Sequence, residues 1–297
     1  LKDFAKILLY LLGAVLFGAL LAPPLWWAGH LVADIGPLGF LAETPFQRYF
    51  NRAVLVAALG LLWPLVRSIK LPGWSAMGIA PDRRRWARIG AGLVIGVAAV
   101  AVLGLILLQI DLYKIKKEIP WNRVTGIFLS AFVIAALEEF FFRGALLGII
   151  RRSAPDRVAL AVVSALYAAV HFIKPADQAV DAVVWSSAFP LIPAALHRFS
   201  EPLVVAGGFT TLFAMGWILG DARLRTGTLW VSFGLHAGLV IGKFGFNKIA
   251  KRRGELPPWF TDDLLVGLGP LIAVLAAGVA IRVWLAYVDA RSDKGRA

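Results

Sequence analysis

Glu138, Glu139 and Arg143 lie inside a stretch that is otherwise apolar from 124 to 150. An ionisable group at the centre of a membrane helix costs about 2.5–3.5 kcal/mol on an insertion scale, so three in one segment mark a site. On a helix Glu139 and Arg143 are four residues apart, share a face and can neutralise each other. Glu138 is turned about 100° from them and is the acid outside that pair. Two histidines complete the set. His171 closes the apolar run 158–172, and His236 lies between Gly234 and Gly238, whose spacing lets a neighbouring helix approach closely.

Two glutamates, two histidines and an arginine on three apolar helices are the parts of a water-activating site. A carboxylate in a water-poor site with a second acid beside it is poised to take a proton from water. One histidine can share that proton while the other donates to a developing oxyanion. The implied reaction is hydrolysis of an acyl bond. The same residue types also ligate zinc, but no HExxH spacing is present and only two histidines fall in the apolar core. The expectation is therefore a site with no metal or other cofactor, with zinc as the alternative. The absence of cysteine removes disulfides, thiolate ligands and a cysteine nucleophile.

Helices must carry these groups. Of 297 residues, 59% are hydrophobic and only 16% charged, against about 25% charged in an ordinary soluble domain. The fold class expected is an all-α, polytopic membrane helix bundle of about eight spans. The spans fall at 4–29, 53–69, 87–110, 124–150, 158–172, 202–219, 228–246 and 264–287, the first too long for a signal-peptide core and broken late by Pro23 and Pro24. Residues 180–196 are apolar but carry Pro190 and Pro193, which suits a surface or re-entrant element better than a span. Three parts are expected: N-terminal spans in 1–123, a catalytic core in 124–246, and a C-terminal loop, last span and polar tail in 247–297.

The formal net charge of +13 is carried by lysines and arginines between apolar segments, where they act as topology signals and not as a nucleic-acid footprint. Arg67, Lys70, Arg83–Arg85 and Arg88 form the densest basic loop and assign it to the cytoplasm, with both termini on that side. Lys251, Arg252 and Arg253 argue the other way. Gly92 and Gly96 in the third span repeat the close-approach spacing. His30 and His197 lie outside the apolar cores and are set aside.

At these residues the chain resembles the CPBP family, the CAAX-protease and bacteriocin-processing (Abi) intramembrane endopeptidases. Glu138-Glu139 with Arg143 match its EExxxR motif. Tyr167 and His171 match FxxxH with one aromatic change, and His236 follows Arg225-Thr226-Gly227-Thr228-Leu229-Trp230 as the family's later histidine does. The resemblance covers about 124–246. It implies a glutamic peptidase in which Glu138 activates water, His171 assists it and His236 stabilises the oxyanion, while Glu139 and Arg143 hold the motif helix in shape. The family's HxxxN asparagine, a second oxyanion donor, is replaced by Val240. Lys243, on the face of His236, is the candidate for that role and for substrate contact, with Tyr167 a further candidate.

The function expected is that of a multi-pass endopeptidase of a bacterial inner membrane. It would cut a membrane protein or membrane-bound peptide from the cytoplasmic half of the bilayer, without nucleic-acid partners. Two rivals remain. One is a catalytically inactive binding or immunity protein of the same family; the other is a proton-coupled transporter, where intramembrane acids and histidines form relays.

Overall fold

The computed structural model describes residues 2–70, 73–119, 121, 125–173, 182–200, 202–253, 264 and 267–294. The protein is almost entirely helical. Five helices are long and apolar enough to cross a membrane: Ala5–Leu31, Phe46–Ile69, Arg85–Gln109, Val205–Thr226 and Leu268–Val288. The other three expected spans are the helices that bear the site. The first is helical from 125 to 150 but changes its winding part-way. Of the others, one has 15 residues and one 20; at 1.5 Å per residue the shorter covers about 22 Å of a roughly 30 Å hydrocarbon core.

The chain divides into two compact units, residues 1–71 with 170–205, and residues 72–169 with 206–297. In the first, α1 (Lys2–Leu31) packs on α2 (Phe46–Ile69). Small residues make the contact close: Gly18 lies against Val54, where an added Cβ would sit 2.6 Å from the Val54 Cα. Ala19, Ala22, Phe46, Tyr49, Phe50, Ala53, Ala188 and Leu191 form its core. The expected break at Pro23 and Pro24 is absent, since α1 runs through both. Two missing N–H donors do not end a helix whose other amides have only their own carbonyls for partners in an apolar surrounding. Residues 182–200 form turns, the short α7 (Leu191–Ala194) and a 3₁₀ turn, in place of a span.

The second unit holds α3 (Arg85–Gln109), α4 (Thr125–Glu138), α5 (Leu147–Ile150), nearly all of α6 (Asp156–Val170) and of α8 (Pro202–Thr226), α9 (Trp230–Ile249) and α10 (Leu268–Lys294). Its central contact is α3 on α9, and the two glycine pairs read from the sequence face each other there. A Cβ on Gly96 would lie 2.6 Å from the Leu235 carbonyl oxygen, and one on Gly238 would strike the Leu93 carbonyl. Gly238→Ala is expected to force the helices apart and lower stability by about 1–3 kcal/mol, read as a lower unfolding temperature in detergent; an unchanged temperature would show that the seam tolerates a methyl.

At the far ends of α3 and α9 the chain forms a two-stranded antiparallel ribbon, β1 (Tyr113–Ile115) with β2 (Ala250–Arg252), pairing Lys114 with Lys251. Tyr113, Leu103, Leu107, Phe246, Ala250 and Leu264 pack beneath it. Arg253 pairs with Asp111 beside it. The sequence reading had only a basic loop here.

Candidate active site

The site begins where the motif helix changes its winding. From Glu139 to Leu146 the backbone is a π-helix, entered directly from α4 at Glu138 and left at α5. Such i→i+5 segments are rare and concentrate at functional sites. The change falls between the two adjacent glutamates and parts their environments. Glu139 is 1% exposed, while the Glu138 side chain is 27% exposed.

Glu139 is the hub. Its Oε1 accepts a hydrogen bond from Arg143 Nη1 at 2.8 Å, as the four-residue spacing predicts, and lies 2.9 Å from His236 Nδ1. A carboxylate bonded to a guanidinium can only accept, so Nδ1 carries the proton and donates to Glu139. That fixes the tautomer: His236 Nε2 is the basic nitrogen, and it lies 3.7 Å from Glu138 Oε2. The distance is too long for a hydrogen bond. It places the histidine nitrogen and the outer carboxylate side by side.

Arg143 is fully buried, and its guanidinium lies 4.3 Å from the centroid of the Tyr167 ring. A cation over an aromatic face is stabilised by the ring quadrupole, more so when desolvated. The same ring meets Phe142 edge-on at 5.1 Å and His236 edge-on at 6.2 Å. Tyr167 thus braces the arginine and the imidazole at once. Arg143 Nη2 also reaches the Gly216 carbonyl of α8 at 3.5 Å.

Glu138, Glu139, Arg143, Tyr167 and His236 therefore meet within the second unit. His171 stands just past the end of α6, in the first unit. Lys243 lies half-buried on α9, two turns beyond His236, with its ammonium 5.9 Å from the Phe244 ring. Val240 is buried in an apolar cluster with Ala131 and Ile241. Among the described residues no group of three or more His, Cys, Asp or Glu side chains is arranged to hold a metal ion.

The bond from His236 to Glu139 was not read from the sequence, because the two are 97 residues apart. The floor beneath the π segment was missed as well. Gly144 and Gly148 let the chain between α2 and α3 come close, so that a Cβ on either would lie 3.1 Å from the Met77 or the Ala76 carbonyl oxygen. Their four-residue spacing was the available signal.

These features define a helical membrane protein with a buried glutamate–arginine–histidine centre and an outer glutamate beside it. Residues 120–241 match the family Type II CAAX prenyl endopeptidase Rce1-like, the kind of protease that the motifs resemble; the matched segment holds every site group named above except Lys243. The match supports an intramembrane endopeptidase of CAAX type acting on a membrane-associated protein. No curated protein matches the chain.

Proposed function

We propose that the protein hydrolyses a peptide bond of a membrane-associated protein or peptide with water activated by Glu138. The observation that carries this is the pairing of Glu138 Oε2 with the proton-free Nε2 of His236 at 3.7 Å, on a histidine whose other nitrogen is held by Glu139. A water bonded to both gives its proton to Glu138 as its oxygen attacks the carbonyl carbon. The tetrahedral oxyanion then collapses, the C–N bond breaks, and the proton held at Glu138 goes to the leaving amine. Glu139 and Arg143 orient His236 and the motif helix. His171 assisting the base, and His236, once protonated, facing the oxyanion, follow from the family resemblance.

The buried apolar setting of Val240 means that the oxyanion donor comes from another position in this chain. Lys243 is our candidate. His236 lies seven residues into α9 from the end that meets the basic loop, about 10 Å along the axis. That supports a site in the cytoplasmic half of a bacterial inner membrane.

The test is terminal-peptide mass spectrometry on membranes from cells expressing the wild type or Glu138→Gln at equal level. New termini confined to the wild type establish the activity and identify the substrate. Identical termini, with both proteins rescuing a deletion phenotype, transfer the assignment to a binding protein or carrier. The glutamate mechanism further predicts that cleavage by purified protein survives 1,10-phenanthroline at millimolar level. Loss of cleavage that returns with added zinc would make the enzyme a metalloprotease.

A further inference from the structure

The seam between α3 and α9 is built from glycines on both sides, Gly92 and Gly96 against Gly234 and Gly238. Glycines bring backbones together but offer no side-chain knobs to stop one helix sliding on the other. Register must then be set at the ends of the seam. At the end away from the ribbon, Arg88 in the first turn of α3 donates from Nη1 to Asp82 Oδ2 at 2.7 Å, to Thr228 Oγ1 at 3.2 Å and to the Thr226 carbonyl at 3.4 Å. Thr226 and Thr228 form the turn that enters α9, with Gly227 at φ +70° between them.

The same loop touches the motif helix. The Gly78 carbonyl accepts from Leu229 N at 3.0 Å, and the Ala76 carbonyl accepts from Arg223 Nη2 at 3.2 Å. Ala76 and Met77 are also the residues on which Gly148 and Gly144 rest. One short segment thus bears on the helix of Glu139 and on the start of the helix of His236. The Asp82 and Arg88 side chains are 10% and 17% exposed, so the ion pair is largely shielded.

We propose that Arg88, with Asp82 and Thr228, is a positioning latch that fixes the register of α9 and hence the distance from His236 to Glu138. This rests on the function proposed above for its catalytic consequence. A displacement of about 1 Å at a reacting centre can cost on the order of 100-fold in rate.

The test joins two readouts. The chain has no cysteine, so nitroxide labels attached at Ser130→Cys on α4 and Lys248→Cys on α9 report the slide of α9 directly by pulsed electron resonance. Arg88→Gln is expected to shift or broaden that distance, and Arg88→Lys to restore most of it. With the junction peptide found by mass spectrometry as probe, Arg88→Gln should lower kcat about tenfold or more with KM within about twofold. Thr228→Val, which keeps the ion pair, should show a smaller change in the same sense and serves if Arg88→Gln does not fold. An unchanged distance overturns the latch whatever the activity does, as does a changed distance with wild-type kcat. Absence of cleavage by the wild type overturns the proposed function alone, and the spin-label distances still decide the latch.

Discussion

Glu138→Gln is expected to lower turnover by about 10²–10⁴-fold, the range a general base supplies, while the unfolding temperature in detergent stays that of the wild type. The geometry separates the two quantities. Glu138 lies outside the hydrogen-bonded set of Glu139, Arg143 and His236, and its side chain is 27% exposed where theirs are 1%, 0% and 2%. Glutamine keeps the shape and removes only the capacity to hold a proton from water. A variant that cleaves at the wild-type rate would remove Glu138 as the base, and one that unfolds early would make it a structural residue.

Glu139→Ala should do the reverse first and the same afterwards. Removing one partner of a buried ion pair leaves an uncompensated charge, at a cost of about 3–5 kcal/mol. Here Arg143, fully buried, loses its counter-ion, and His236 loses the acceptor that fixes its tautomer. The double replacement Glu139→Leu with Arg143→Met is expected to regain much of the stability, because no charge is left stranded. It should regain no activity, because Nδ1 still lacks its acceptor. Thermal unfolding and cleavage measured on the same preparations separate these effects. Equal stability of Glu139→Ala and the wild type would show that the pair does not support the fold.

The chemistry of this chain was legible because charge in an apolar run is expensive. Glu138, Glu139 and Arg143 stood out against their surroundings, and the bond from Arg143 to Glu139 follows from spacing alone. The facing glycines of α3 and α9 were visible as two patterns, though not as partners. What sequence could not supply was contact at a distance: Glu139 with His236, Asp82 with Thr228, and Tyr113 with Arg252 are brought together by packing and leave no local period. Pro23 and Pro24 misled because proline weighs against a helix far more in water than where the backbone has no alternative partner. The winding change at Glu139 was hidden for a related reason. Counting by 3.6 assumes one helix type throughout, and nothing in Glu-Phe-Phe-Phe-Arg-Gly announces another.

That change also makes the motif helix an instrument with two phases. A π turn accommodates one more residue than an α turn, so the faces of α4 and of α5 are offset from what a single screw would give. Deleting one residue among Phe140–Phe142 would shorten the helix very little. It would instead rotate Gly144, Gly148 and everything after them by about 100° relative to the glutamates, and the floor at Ala76 and Met77 would meet side chains in place of glycines. For a helix built this way an alignment gap is an angle, and relatives differing by one residue here are the ones in which to look for a different site.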